Sequence, residues 1–298
     1  MKILVTGGTG FIGQRFIRQR LENGDEVSCL TRFPNKIDAL FEGRVTGFQE
    51  LPDDKHFEID AVVNLAGEPI IDKRWSTEQK KIIRDSRIDT TRKLIDWMTD
   101  LNHQPEVLVS GSAIGFYGSH SEGKLSEEGA INAGFTHQLC SDWEAEALRA
   151  ETDGIRVCLI RTGIVLGDGG ALKKMLLPFK LGLGGTVATG RQWMSWIHID
   201  DEVEVISMLL THPQLNGVFN LTAPNAVTNK QFTHSLAAAL NRPSCIPMPG
   251  FMLKALLGEG AELLLEGQHV VPKKLLDIGY QFKFERIDDA FRDIFEKV

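Results

Sequence analysis

The apolar residues Ile3, Leu4 and Val5 run directly into the octet Thr6, Gly7, Gly8, Thr9, Gly10, Phe11, Ile12 and Gly13, and a helical spacing of Phe16, Ile17 and Leu21 follows. A strand, a glycine-rich turn and a helix in that order constrain the fold more than any other feature of the chain. Gly7 and Gly8 permit a tight turn, Gly10 lets backbone approach a pyrophosphate, and Gly13 lets the helix pack close to the strand. The first helical turn leaves N–H groups unpaired at the positive end of the helix dipole, which suits phosphate. A dinucleotide site is therefore expected, with Gly7, Gly10, Phe11, Ile12 and Gly13 against the cofactor.

The second strand, residues 26–30, ends at Thr31 and Arg32, and no Asp or Glu stands between Val27 and Asp38. An acidic residue there would accept the ribose 2′-hydroxyl of NAD, whereas an arginine suits a 2′-phosphate. Thr31 and Arg32 are accordingly expected to read NADP(H). Leu65, Ala66 and Gly67, after the strand at 60–65, are small or apolar enough for the cofactor's nicotinamide-side ribose to approach the backbone.

Strands at 45–48, 106–110 and 156–160 alternate with helical patterns at 77–101 and 136–151, as a parallel sheet requires. The expected fold is α/β, a Rossmann-type doubly wound parallel sheet with a smaller C-terminal substrate-binding lobe. Residues 1–165 would form the NADP-binding domain, with a return at 199–222, and residues 166–298 the substrate lobe. A net charge of −7 gives no nucleic-acid footprint, and no apolar stretch approaches the roughly 20 residues of a membrane span. A core strand three residues from Met1 leaves no room for a targeting segment, and the four cysteines have no metal spacing. A cytoplasmic protein with a small-molecule substrate and no metal, nucleic-acid or membrane partner is expected.

Ligands of open α/β sheets sit outside the carboxyl ends of the strands, so polar residues there are the candidates for chemistry. Ser112 and Tyr117 follow the fifth strand, where a serine can hydrogen-bond a carbonyl and a tyrosine can stack on or protonate a substrate. Arg161 ends the sixth strand and is expected to clamp a carboxylate or phosphate. Arg74, Arg191 and Trp196 would complete a polar, aromatic substrate pocket.

Residues 6–13, 64–67, Ser112 with Tyr117, and 196–201 together resemble the extended short-chain dehydrogenase/reductase superfamily of NAD(P)-dependent epimerases and dehydratases. A narrower resemblance, to the YfcH-type epimerase family of atypical members, rests on 64–70, Arg74 with Trp75, Ser86 with Arg87, 161–167, 182–185, 190–192 and 272–276. It runs from residue 1 to about 295 and implies an NADP(H)-binding protein, and by analogy a homodimer joined through the two long helices.

One departure limits what the resemblance implies. The superfamily works through a Tyr-x-x-x-Lys pair, in which the lysine lowers the tyrosine's pKa. Here Tyr117 is followed four places on by Ser121, Tyr280 by Phe284, and the window 135–144 contains neither Tyr nor Lys. His137 stands in that window as a substitute proton donor, alongside Tyr117. The leading reading is an oxidoreductase on a small polar or anionic carbonyl compound. The alternatives are a non-catalytic NADP(H)-binding regulator or scaffold, and a sugar-nucleotide epimerase, which the missing pair fits worst.

Overall fold

A computed structural model describes residues 1–296. Its first part runs β1 (Lys2–Thr6), α1 (Phe11–Glu22), β2 (Glu26–Leu30), α2 (Pro34–Phe41), β3 (Val45–Phe48), β4 (Ala61–Asn64), α3 (Thr77–Thr99), β5 (Val107–Ala113), α4 (Phe135–Leu148) and β6 (Arg156–Thr162). Then follow β7 (Ile164–Leu166), α5 (Gly170–Lys180), β8 (Trp193–Met194), β9 (Trp196–His198), α6 (Ile199–Thr211), β10 (Gly217–Leu221), β11 (Val227–Thr228), α7 (Asn229–Ala239), α8 (Gly250–Leu257), α9 (Glu262–Leu265), α10 (Lys273–Asp277) and α11 (Ile287–Glu296).

Seven strands form one sheet in the order β10-β6-β5-β4-β1-β2-β3, and every neighbouring pair is parallel. The strand order reverses between β1 and β4, which makes the crevice at their carboxyl ends the switch point of a doubly wound fold. Strand β10 joins the sheet beside β6. No helix of the described residues is long and apolar enough to cross a membrane.

Alternation along the strands divides the core into two faces, because successive strand side chains point to opposite sides of the sheet. Ile3, Val5, Ala61, Val63, Val107, Val109, Cys158 and Ile160 pack with α1, α2 and α6. Leu4, Val62, Leu108, Val157 and Leu159 pack with α3 and α4, chiefly through Leu94, Ile95, Met98 and Ala147. The same parity carries past the apolar residues: Asn64, Ser110, Ser112 and Arg161 fall on the α3–α4 face. A third core, around Trp196, Phe232 and Phe291, joins α5, α7 and α11.

Candidate functional site

The glycine turn closes the switch point. Gly7 has a φ of +73°, and a Cβ there would lie 2.5 Å from the Leu65 carbonyl oxygen at the end of β4. A Cβ on Gly13 would lie 2.4 Å from the Gly7 carbonyl oxygen, so helix and turn touch through bare backbone. At Gly10 the nearest obstacle to a Cβ is 3.1 Å away, which leaves room on the outer side of the turn. Helix α1 begins with Gly10 as its N-cap, with no capping side chain and no acidic residue in its first turn. Uncapped N–H groups at Phe11, Ile12 and Gly13, with about half a positive charge from the dipole, make a cradle for a pyrophosphate.

Beyond β2, Thr31 Oγ1 accepts a hydrogen bond from the Phe33 N–H (3.2 Å), and the exposed Arg32 guanidinium lies 5.8 Å from the Phe33 ring. Leu65 and Ala66 line the crevice from the β4 side. The Ala66 N–H donates to Thr6 Oγ1, which itself donates to Asn64 Oδ1 at 2.7 Å, so the two strand ends are locked to each other. Asn64 Nδ2 then donates to Thr91 and Ser110, and Asn64 is a buried brace of the crevice.

Behind β5 and β6 the polar residues form a closed network. Ser112 and Arg161 are register partners on adjacent strands, and both point at α4. There Glu144 accepts from Ser112 Oγ (2.6 Å) and Arg161 Nε (2.8 Å) on one oxygen, and from Arg161 Nη2 (2.8 Å) on the other. Arg161 Nη1 donates to the Tyr117 hydroxyl and the Glu127 carbonyl, and Tyr117 donates to Asn220 Oδ1 at 2.6 Å. The Arg161 guanidinium lies 3.3 Å from the Phe116 ring centroid.

This network corrects two of the sequence expectations. Arg161 is 4% exposed with its bidentate edge filled by Glu144, so it holds the fold together and does not clamp a ligand. Burial works against its charge, but Glu144 prevails and raises its pKa. Tyr117 is wholly buried, and burial raises its pKa despite Arg161, so it is a poor proton donor to the cleft. Trp196 is a third correction, since it is wholly buried in the small-lobe core with its Nε1 donating to the Asn225 carbonyl.

Arg74 and Arg191 are both exposed but are not brought together. Arg74 lies beside Gly258 at the end of α8, whereas Arg191 belongs to the turn whose Val187 bridges Met248, just before α8 begins. The eight-residue helix α8 runs between those two anchor points.

His137 remains at the rim. It stands in the first turn of α4, half-buried, with Nδ1 2.6 Å from the Phe116 carbonyl oxygen and its ring against the Phe116 ring. A carbonyl can only accept, so Nδ1 carries a proton and Nε2 is the atom available to a ligand. Ser112, expected at the cleft, is buried with its proton given to Glu144 and belongs to the closed network. His198, Asp200 and Asp293 also converge, but His198 Nδ1 caps α6 through the Asp200 N–H and Asp200 pairs with Arg15 of α1, so they serve helix packing.

Sequence reasoning missed Arg87 and Glu144 as individual residues. Arg87 stands four residues after Ile83 and four before Thr91, both buried, and Glu144 stands between buried Cys140 and Ala147. A charged residue on the buried stripe of a helix was the available signal for each.

Residues 3–222 match the profile of the NAD dependent epimerase/dehydratase family, and residues 248–294 match a domain of unknown function, DUF1731. The chain is 41% identical to the Arabidopsis thaliana chloroplastic homologue of epimerase family protein SDR39U1, over 99% of this chain and 87% of that protein. It is 36% identical to epimerase family protein YfhF of Bacillus subtilis, over 99% of this chain and 98% of that protein. The crystal structure of human epimerase family protein SDR39U1 (isoform 2) with NADPH superposes with a TM-score of 0.91, at 35% identity and 100% coverage of both chains.

Proposed function

The chain belongs to the NAD dependent epimerase/dehydratase family, and we propose that within it this protein is an NADP(H)-dependent oxidoreductase acting on a small polar or anionic carbonyl compound. The observation that carries the reading is the uncapped N-terminus of α1, opened by Gly10 onto the switch-point crevice and placed on the same rim as His137. Arg32 after β2, with no carboxylate nearby in sequence, favours the 2′-phosphate form, and the human relative was solved with NADPH.

Bound in this cradle, NADPH would supply a hydride to the substrate. The chain's own residues then divide the remaining work. Gly7, Gly10 and Gly13 let backbone meet the pyrophosphate, and Leu65, Ala66 and Gly67 flank the ribose next to the nicotinamide. Ser112, closed into the Glu144 network, braces the end of β5. In its doubly protonated form His137 would give the Nε2 proton to the reduced carbonyl oxygen, leaving the neutral ring with its Nδ1 proton on the Phe116 carbonyl.

The test is a fluorescence titration with NADPH and NADH, followed by a screen of carbonyl compounds for loss of reduced cofactor. His137→Ala is expected to lower turnover roughly 10²–10⁴-fold with NADPH affinity near wild type. The commitment of Tyr117 and of the Ser112 proton favours a second reading, a non-catalytic NADP(H)-binding regulator. Tight NADPH binding without turnover across the screen would select that reading.

A further inference from the structure

The two buried arginines of α1 and β6 each have a carboxylate: Arg20 pairs with Asp25 and Arg161 with Glu144. Arg87, on α3, makes no ion pair among the described residues. Its Nη1 donates to the carbonyls of Glu68 (3.1 Å) and Ile83 (3.0 Å), which fixes the guanidinium at the mouth of the loop leaving β4. Its Nε and Nη2 donate to no protein group, and neither is sealed from solvent.

The guanidinium is a flat plate confined by two neighbours. On one side a Cβ at Gly67 would lie only 2.8 Å from Cζ, 3.0 Å from Nη2 and 3.1 Å from Nε, so only glycine leaves the plate in place. The Trp143 ring also packs against it, with Cζ 5.3 Å from its centroid. The Nε–Nη2 edge is the part of the plate with no protein acceptor. Burial lowers the pKa of Arg87 against the opposing pull of Cys140 and Glu68, and Glu68 Oε1 is itself engaged by Lys73 at 3.4 Å. A positive charge has thus been placed beside Gly67, on the loop leaving β4, with no counter-charge within ion-pair distance.

We propose that Arg87 is the substrate's anion anchor, and that the substrate carries a carboxylate which docks side-on against Nε and Nη2. Two parallel N–H groups match the two oxygens of a planar carboxylate. The same fold shows that geometry completed at Arg161, where Nε and Nη2 each donate to one oxygen of Glu144 at 2.8 Å. The assignment rests on the oxidoreductase reading for the word substrate, but the carboxylate site itself is a property of Arg87 and Gly67.

Calorimetric titration of the NADPH-loaded protein with monocarboxylates from formate to phenylpyruvate, and separately with inorganic phosphate, tests it. Wild type is expected to bind at least one carboxylate saturably. Arg87→Gln should weaken that binding roughly 10–100-fold, the range of a charge-assisted pair. Arg87→Lys should recover part of the loss, having the charge without the fork, and Gly67→Ala should weaken binding by displacing the guanidinium. NADPH affinity should stay within about twofold in the Arg87 variants, which shows that they fold. Unchanged carboxylate binding in Arg87→Gln would overturn the proposal, as would no saturable binding in wild type or binding of phosphate to the exclusion of carboxylates. Should wild type fail to bind NADPH, the functional reading falls, while the same titration on the cofactor-free protein still decides the role of Arg87.

Discussion

Arg161, behind β5 and β6, and Arg87, beside the loop that leaves β4, both lie in the layer formed by α3 and α4, yet only Arg161 has a carboxylate. Around Arg161, Glu144, Ser112, Tyr117, Glu127 and Asn220 satisfy one another in a closed set. Around Arg87 the set is open on the Nε–Nη2 edge. The difference teaches how to tell a structural charge from a functional one. A charge whose hydrogen bonds close within the protein braces the fold, whereas one left open at a rim invites a ligand that completes it.

The comparison breaks most decisively through stability. Glu144→Ala leaves the buried Arg161 guanidinium without its partner and is expected to cost about 3–5 kcal/mol in chemical denaturation. Arg87→Gln should cost less by the same measurement, about 1–2 kcal/mol, because it loses two hydrogen bonds to carbonyls but strands no carboxylate. Equal losses would erase the distinction between the two sites.

On the opposite face of the sheet Glu202, wholly buried on α6, accepts from Thr162 Oγ1 at 2.8 Å at the end of β6. Burial raises its pKa from the usual 4.5 to about 8, against the Thr162 hydrogen bond. The folded protein therefore keeps this carboxyl neutral while the unfolded chain ionises it. Its contribution is fully present below pH 4.5 and is lost as pH rises towards about 8. Glu202→Gln should remove that dependence, so its stability relative to wild type should climb between pH 5 and 8, by at most about 1.4 kcal/mol per pH unit. Parallel curves for the two proteins would place Glu202 in water.

Smaller effects sharpen the picture. Tyr117→Phe removes an acceptor from Arg161 and a donor from Asn220, and should cost about 1–3 kcal/mol of stability while leaving any turnover nearly intact. A steep loss of turnover instead would make Tyr117 a proton donor after all. Arg32→Ala, on the exposed loop after β2, should erase a preference for NADPH over NADH of about tenfold, or 1.4 kcal/mol, without changing stability.

Much of the molecule was legible before folding. The glycine turn, the parallel order implied by alternating strands and helices, and the strand at 45–48 all rest on signals within a few neighbouring residues. Sequence reading went astray at Arg161, Tyr117 and Trp196, each named as facing the cleft. For Arg161 the parity of its strand already held the answer, since Val157, Leu159 and Arg161 share the face that α4 covers. For Tyr117 and Trp196 it did not, because Asn220 and the core of α5, α7 and α11 reach them from distant parts of the chain.

By itself the sequence determined where the backbone could turn tightly, where a phosphate could approach it, and that no Tyr-x-x-x-Lys pair exists to do the superfamily's chemistry. These are local properties, set by the absence of a Cβ or by the identity of a side chain. Only the tertiary structure decided which charges are spent and which are left over. Glu144 lies 17 residues before Arg161 and on another element, while no carboxylate was brought to Arg87. Whether a guanidinium is satisfied depends on distances of about 3 Å between groups that the chain order does not relate.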